Sequence, residues 1–239
     1  MFKLFKMDAI MFVDFAQVNF WWLFLCCFTL ASITWRLMAK LQKQFYTMGR
    51  VRQRFNIFDL QFTATPEELP KLLEGIDRLP NKTETKTSKD ALRTQLYIDF
   101  LFMVGFYPLI FLLCLKTSVK MEYLGRQIFM LLACLQAIPF LCDILENCYL
   151  LTMLNKSKIP SILMHRFYQA TVVTKWSIAS LGIASAISAL LYFWITGNYE
   201  TSSLKFLLIG FIILIAVMAF TTDKTSKSQS DKPLRKINS

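Results

Sequence analysis

A chain of 239 residues that is 55% hydrophobic, with a mean hydropathy of +0.43, is too apolar for a soluble domain built on one ordinary core. The formal charge of +11 raises nucleic acid as a partner, but the lysines and arginines sit mostly in the connections between apolar runs and no nucleic-acid motif accompanies them. The six cysteines all fall inside apolar runs and there is one histidine, His165, so neither a disulfide framework nor a His/Cys metal site is expected, and no cofactor is implied.

At the start, Lys3 and Lys6 precede an apolar run as in a signal peptide, yet Asp8 and Asp14 interrupt it and no small-residue cleavage site follows Trp21 and Trp22. An uncleaved anchor is expected. Its span covers about Val18 to Ala39, long enough to cross roughly 30 Å of hydrocarbon, with Trp21, Trp22 and Trp35 as interfacial anchors. The polar region that follows, 40–93, opens with Lys40, Lys43, Arg50, Arg52 and Arg54 and no acid, a juxtamembrane segment suited to anionic lipid headgroups or to a plain topology signal.

Thr65-Pro66-Glu67-Glu68 reads as a helix start, and Leu69, Leu72, Leu73, Ile76 and Leu79 recur at helical spacing. The pattern predicts an amphipathic helix from Pro66 to Leu79 that lays one face on the membrane surface or on the ends of the spans. Asn81 to Lys89 contains no apolar residue and is expected to be a mobile linker.

The second span covers 91–115, with a kink expected near Gly105 because Pro108 cannot bond the carbonyl of Val104. The third covers 127–154 and places Gln136, Pro139, Asp143, Glu146 and Asn147 along one stripe of a helix. For Gln136 and Pro139 a tolerated kink with a local hydrogen bond is expected. His165 is expected to be exposed in a loop. The fourth span, 167–195, carries Lys175 and then Ser177, Ser180, Gly182, Ser185 and Ser188, small residues that permit close helix approach. A fifth span is expected over 204–222, making residues 1–222 one transmembrane domain, and 223–239 reads as a disordered basic tail.

Counting Lys and Arg in the connections gives 19 on one side of the membrane and 6 on the other, so the N-terminus is expected outside and the C-terminus in the cytoplasm. The fold expected is therefore all-α, a polytopic transmembrane bundle of about five spans, or four if the last does not cross, with a cytoplasmic amphipathic helix between spans 1 and 2.

An Asp at a helix centre costs roughly 2.5–3.5 kcal/mol on insertion, while each Leu, Ile or Phe returns about 0.3–0.6. The third span is near break-even alone and needs polar partners. Depth identifies them: Asp99 lies about two turns into the second span, Glu146 and Asn147 about two turns from the end of the third, and Lys175 about two turns into the fourth, all on the cytoplasmic side. Asp143 lies one turn deeper. Three carboxylates then face one ammonium, and protons, Arg166, His165, a bound metal or sodium ion or a cationic substrate group are the candidates to balance them.

Three readings follow for this polar cluster of Asp99, Asp143, Glu146, Asn147 and Lys175. It locks the helices in register while the cytoplasmic face binds a partner or lipid, it forms a cation- or proton-coupled pathway, or it serves an intramembrane enzyme acting on a lipid headgroup.

Phe58-Asp59, Gln95, Asp99, Tyr107-Pro108, Pro139, Asp143-x-x-Glu146-Asn147 and Lys175 together resemble a loose group of small bacterial integral membrane proteins with a D-x-x-E-N motif in a transmembrane helix. The resemblance spans Phe58 to Trp176. It implies a multi-pass protein of the bacterial inner membrane and supplies no activity.

Overall fold

The computed structural model describes residues 19–155 and 159–197, together with 208, 209, 212, 213 and 216. Residues 1–18, the rest of the expected fifth span 204–222 and the tail 223–239 lie outside the described residues. Four helices are long and apolar enough to cross a membrane, and they form an all-α bundle.

The first, α1 (Phe20–Leu41), ends on Lys40, whose charge complements the helix C-terminus. A 3-10 turn (Gln42–Gln44) leads into a small hairpin that sequence periodicity does not announce. Its strands β1 (Tyr46–Met48) and β2 (Arg52–Arg54) pair antiparallel, with Tyr46 opposite Arg54. A five-residue helix α2 (Ile57–Gln61) follows, started by a reciprocal cap in which Asn56 Oδ1 accepts from the Phe58 and Asp59 amides and Asp59 Oδ2 accepts from the Asn56 amide.

The amphipathic helix, α3, runs Glu68–Asp77 and so starts two residues later than predicted. Thr65 contributes its carbonyl, which accepts from the Glu68 amide at 3.2 Å, and not a side-chain cap. The Glu68 carboxylate instead reaches back to the Ala64 amide, 2.6 Å away. Its apolar face, Leu69, Leu73 and Ile76, is buried against Phe45 and Phe55 of the hairpin region and against Leu92, Leu96, Leu150 and Leu154 at the ends of the spans. The partner is therefore protein. Gly75 is needed here, since a Cβ would fall 2.0 Å from Thr47 Oγ1, which donates to the Leu72 carbonyl.

The expected linker Asn81 to Lys89 is helical. It forms the start of α4 (Lys82–Lys120), a 39-residue helix about 58 Å long that projects well beyond the hydrocarbon. Composition misled because this stretch needs no core of its own: once the span is helical, extending it costs little per residue. Asn81 Oδ1 caps it through the Thr83 amide, Ser88 Oγ donates to the Gln44 carbonyl, and Lys89 pairs with Asp77 at 2.6 Å.

The helix runs unbroken through Pro108. At Gly105 it meets α1 backbone to backbone, and a Cβ there would lie 2.8 Å from Ala31 N and 2.9 Å from the Cys27 carbonyl. A break in the helix comes in the third span, between α5 (Tyr123–Leu135) and α6 (Ala137–Asn155). Pro139 cannot bond the Leu135 carbonyl, and the Gln136 amide turns to the Ala133 carbonyl while Gln136 Nε2 donates to the Leu132 carbonyl that it leaves, at 3.1 Å, a local hydrogen bond of the kind expected here.

The last described span, α7 (Ile162–Ile195), begins five residues earlier than predicted, capped by Ser161 Oγ on the Met164 amide. His165 is consequently buried, in the first turn of a helix rather than in a loop. The face α7 turns inward carries Lys175, Ala179, Gly182 and Ala186, whereas Ser177, Ser180 and Ser188 point outward. Close approach comes through Gly182, where a Cβ would meet Gln136 Nε2 at 2.4 Å. Among the five described residues of the fifth segment, Ile213 packs on the apolar cluster around Phe20, Met103 and Ile110.

Substituting Gly105 by Val inserts side-chain volume into a backbone contact, and overpacking of this kind costs about 1–3 kcal/mol or more. Gly105→Val is expected to lower the thermal unfolding temperature in detergent by several degrees. Gly49→Ala, with open space around the added carbon, should leave it unchanged. Equal melting of both variants and wild type contradicts the α1–α4 packing described here.

Candidate functional site

Two apolar clusters fill the bundle, one around Met103, Ile110 and Ala186 and one around Leu92, Leu150 and Val172. Along each helix a polar residue falls between them: Gln95 and Asp99 on α4, Asp143, Glu146 and Asn147 on α6, and Lys175 on α7. Helical spacing explains the convergence. Gln95, Asp99, Met103 and Tyr107 are four residues apart on one face of α4, and Asp143, Glu146 and Asn147 share one face of α6.

Lys175 is the hub. Its Nζ donates to Asp143 Oδ1 at 2.8 Å and to Glu146 Oε2, and all three side chains are at least 95% buried. Asp143 Oδ2 also accepts from the Tyr107 hydroxyl at 2.8 Å. Asp99 joins through Asn147, whose Nδ2 donates to Asp99 Oδ2 at 2.8 Å. All five predicted residues are thus drawn into one layer, with Asp99 at its edge.

Two members escaped sequence reasoning as site residues. Gln61, at the end of α2, donates through Nε2 to Glu146 Oε1 and accepts from Trp176 Nε1 at 3.3 Å. Its carbonyl accepts from Gln169 Nε2 at 2.9 Å, and the Leu60 carbonyl beside it accepts from the Tyr168 hydroxyl at 3.0 Å. A segment outside the spans is therefore stitched to the intramembrane charge. The Asn56-x-x-Asp59 cap could have announced α2 but not where its last residue points. Tyr107 could have been found, because it continues the Gln95–Asp99 stripe by two further steps of four.

Of the candidates to balance the acids, Arg166 and His165 lie nine and ten residues before Lys175 on α7, about 14 Å along the axis, and do not enter the cluster. Among the described residues no group of three or more His, Cys, Asp and Glu side chains is arranged to hold a metal ion.

A cavity of about 140 Å³ opens beside the cluster. It lies between α1 and α7, which both pack on α4, and α2 borders it from outside the spans. Asp99, Asp143, Lys175, Gln42, Gln61 and Gln95 supply its polar lining, and Trp35, Phe58, Phe102, Phe106, Tyr107 and Trp176 its aromatic walls. Gln95 is 2% exposed and its Oε1 has no hydrogen-bond partner. Gln136 is not among the lining residues.

No family model, curated protein or solved structure matches this chain.

Removing one partner from a buried ion pair leaves an uncompensated charge and costs about 3–5 kcal/mol. Lys175→Met should therefore sharply lower the yield of folded protein on size-exclusion chromatography in detergent, and Glu146→Gln should lower it less. The double variant Glu146→Gln/Lys175→Met should recover part of the loss. Strictly additive losses would mean that the two side chains do not stabilise one another.

Proposed function

We propose that this is a multi-pass inner-membrane protein that binds a small ligand or lipid headgroup in the cavity beside its polar cluster, from the cytoplasmic side. The observation that carries this reading is the cavity that opens against the layer. Lys175, Asp143 and Glu146 bond one another, as a helix-locking network requires. Asp99 and Gln95, together with Asp143 and Lys175, line open space, and concave, mostly apolar sites with a few convergent polar groups are where ligands bind. Asp99 makes no ion pair among the described residues, so the trio carries the structural role and Asp99 the binding role.

A transmembrane pathway gains less support. The cavity extends along α4 from Gln95 to Tyr107 and along α7 from Lys175 to Ala179, and Gln136 beyond them is packed on Gly182. Chemistry on a lipid headgroup would use the same cavity, with Asp99 as the acid–base residue.

The orientation rests on the imbalance of 19 basic residues against 6 across the connections. The exposed Lys40, Lys43, Arg50, Arg52 and Arg54 supply a surface for anionic headgroups at the hairpin end of the bundle. Arg52 is the most restrained of them, lying over the Tyr46 ring at 4.3 Å and 3.5 Å from Glu84.

Two measurements test the proposal. A green fluorescent protein fused after Ser239 should fluoresce in bacterial cells, and a dark, translocated fusion would reverse the orientation. In detergent, at least one member of a panel of lipids and soluble headgroups should raise the melting temperature of the wild type by several degrees. Ala39→Trp, which fills the cavity from α1, should abolish that response while keeping the unliganded melting temperature. A panel without any stabilising member, or an equal response from Ala39→Trp, overturns the binding site.

A further inference from the structure

The cavity selects among ligands by charge, by hydrogen-bond sense and by the nature of its walls. Lys175 is shared by Asp143 and Glu146, so this trio already holds one more carboxylate than ammonium. Asp99 adds another, and its bonded neighbour is the uncharged Asn147 amide. By formal count the layer offers three carboxyl groups against one ammonium, which favours a cationic ligand over an anion wherever those carboxyls are ionised.

Hydrogen-bond sense narrows the choice. The Asp99 carboxylate accepts one bond, from Asn147 Nδ2, and is acceptor-only when ionised. A purely apolar ligand, or one offering only acceptors, would add nothing to that single bond. A group with several N–H donors fills the remaining acceptor capacity.

The walls narrow it again. Trp35 and Phe102 have ring centroids 6.0 Å apart, Phe102 stacks on Phe106 at 4.9 Å, and Phe106 meets Tyr107 edge-on at 5.5 Å. On the opposite side Phe58 and Trp176 lie 5.7 Å apart, and Trp176 already has the Lys175 ammonium 5.4 Å from its ring centre. Ring faces attract organic cations, whereas a small metal cation requires oxygen ligands around it.

We infer that the cavity, read as the binding site proposed above, receives a primary ammonium group, held by the Asp99 carboxylate and enclosed by the aromatic walls. At about 140 Å³ the space is close to that of an apolar cavity of about 150 Å³ that takes up benzene, so it suits a headgroup-sized fragment and excludes a whole lipid. Trp35 and Phe58, 51% and 44% exposed, stand at its rim. The ammonium comes either from a lipid headgroup sliding in past them with its tails left outside or from a free amine in the aqueous phase.

The test uses the full-length chain. In detergent, ethanolammonium is compared with 1-propanol, its uncharged isostere, by tryptophan fluorescence and thermal shift. In nanodiscs, native mass spectrometry compares retention of phosphatidylethanolamine with that of phosphatidylglycerol. A free-amine site binds ethanolammonium at least tenfold more tightly than propanol. A headgroup site retains phosphatidylethanolamine at least tenfold over phosphatidylglycerol. Either preference should fall about tenfold in Asp99→Asn, which keeps the side-chain shape and the acceptor for Asn147. It should fall about threefold in Trp35→Leu, an exposed rim position that keeps the test open if Asp99→Asn does not fold. Equal binding of ethanolammonium and propanol with equal lipid retention overturns the ammonium and leaves the pocket. Binding that neither variant weakens places the ligand elsewhere and overturns it too. No binding by any probe removes both the ammonium and the pocket.

Discussion

The structure depends on one buried ammonium held between two carboxylates. Lys175, Asp143 and Glu146 come from two helices and are all withdrawn from solvent, where an isolated charge is strongly disfavoured. Each is tolerable only because the others are within bonding distance, so α6 and α7 have one acceptable register. Sliding either helix by a residue would rotate a charge out of the cluster and into hydrocarbon. Apolar packing alone does not impose that, because Leu, Ile and Val faces repack with small losses. The ion pairs contribute less to net stability than to uniqueness, and the two apolar clusters above and below supply the bulk of the burial.

The same charge reaches beyond the spans. Glu146 holds Gln61, Gln61 holds Trp176, and the neighbouring carbonyls are held by Gln169 and Tyr168. A five-residue helix has almost no stability of its own. Here α2 persists because its cap fixes one end and the cluster fixes the other. The hairpin and α3 then pack on the ends of α4 and α6 through Leu92, Leu96, Leu150 and Leu154. The extramembrane part and the bundle form one body whose junction is the charged layer.

Most of the architecture was legible because membrane spans are the strongest signal a sequence carries: backbone groups in hydrocarbon must pair within a helix, so apolar length reports the fold. The cluster was legible for a related reason, since Asp143, Glu146 and Lys175 are too costly to leave unpartnered in a span and their depths agree. What was hidden are features whose cause lies in another segment. The stretch Asn81 to Lys89 is helical because of the span that follows it, and the hairpin at 46–54 seats against α3 because Gly75 leaves room for Thr47. His165 is buried because Ser161 starts α7 early. The serines of α7 looked like the close-packing face, but Lys175 fixes which face turns inward, and Ala179, Gly182 and Ala186 lie on its stripe.

An unsatisfied buried oxygen does not by itself mark a site, and this chain contains the control. Gln136 Oε1 is as orphaned as Gln95 Oε1. Its surroundings are Tyr107, Pro108, Phe111, Ala133 and Phe140, an apolar groove without a charged side chain, and its amide nitrogen is committed to repairing the break between α5 and α6. That orphan is accounted for by local helix repair. Gln95 stands on an unbroken helix with no repair to make, and its side chain lines a cavity together with Asp99, whose carboxylate makes no ion pair among the described residues. A network selected only to lock helices would gain by closing that cavity with one larger apolar side chain, as native cores do. Keeping the space, the acceptor and the charge together costs stability, and a ligand that supplies donors and positive charge is what recovers it.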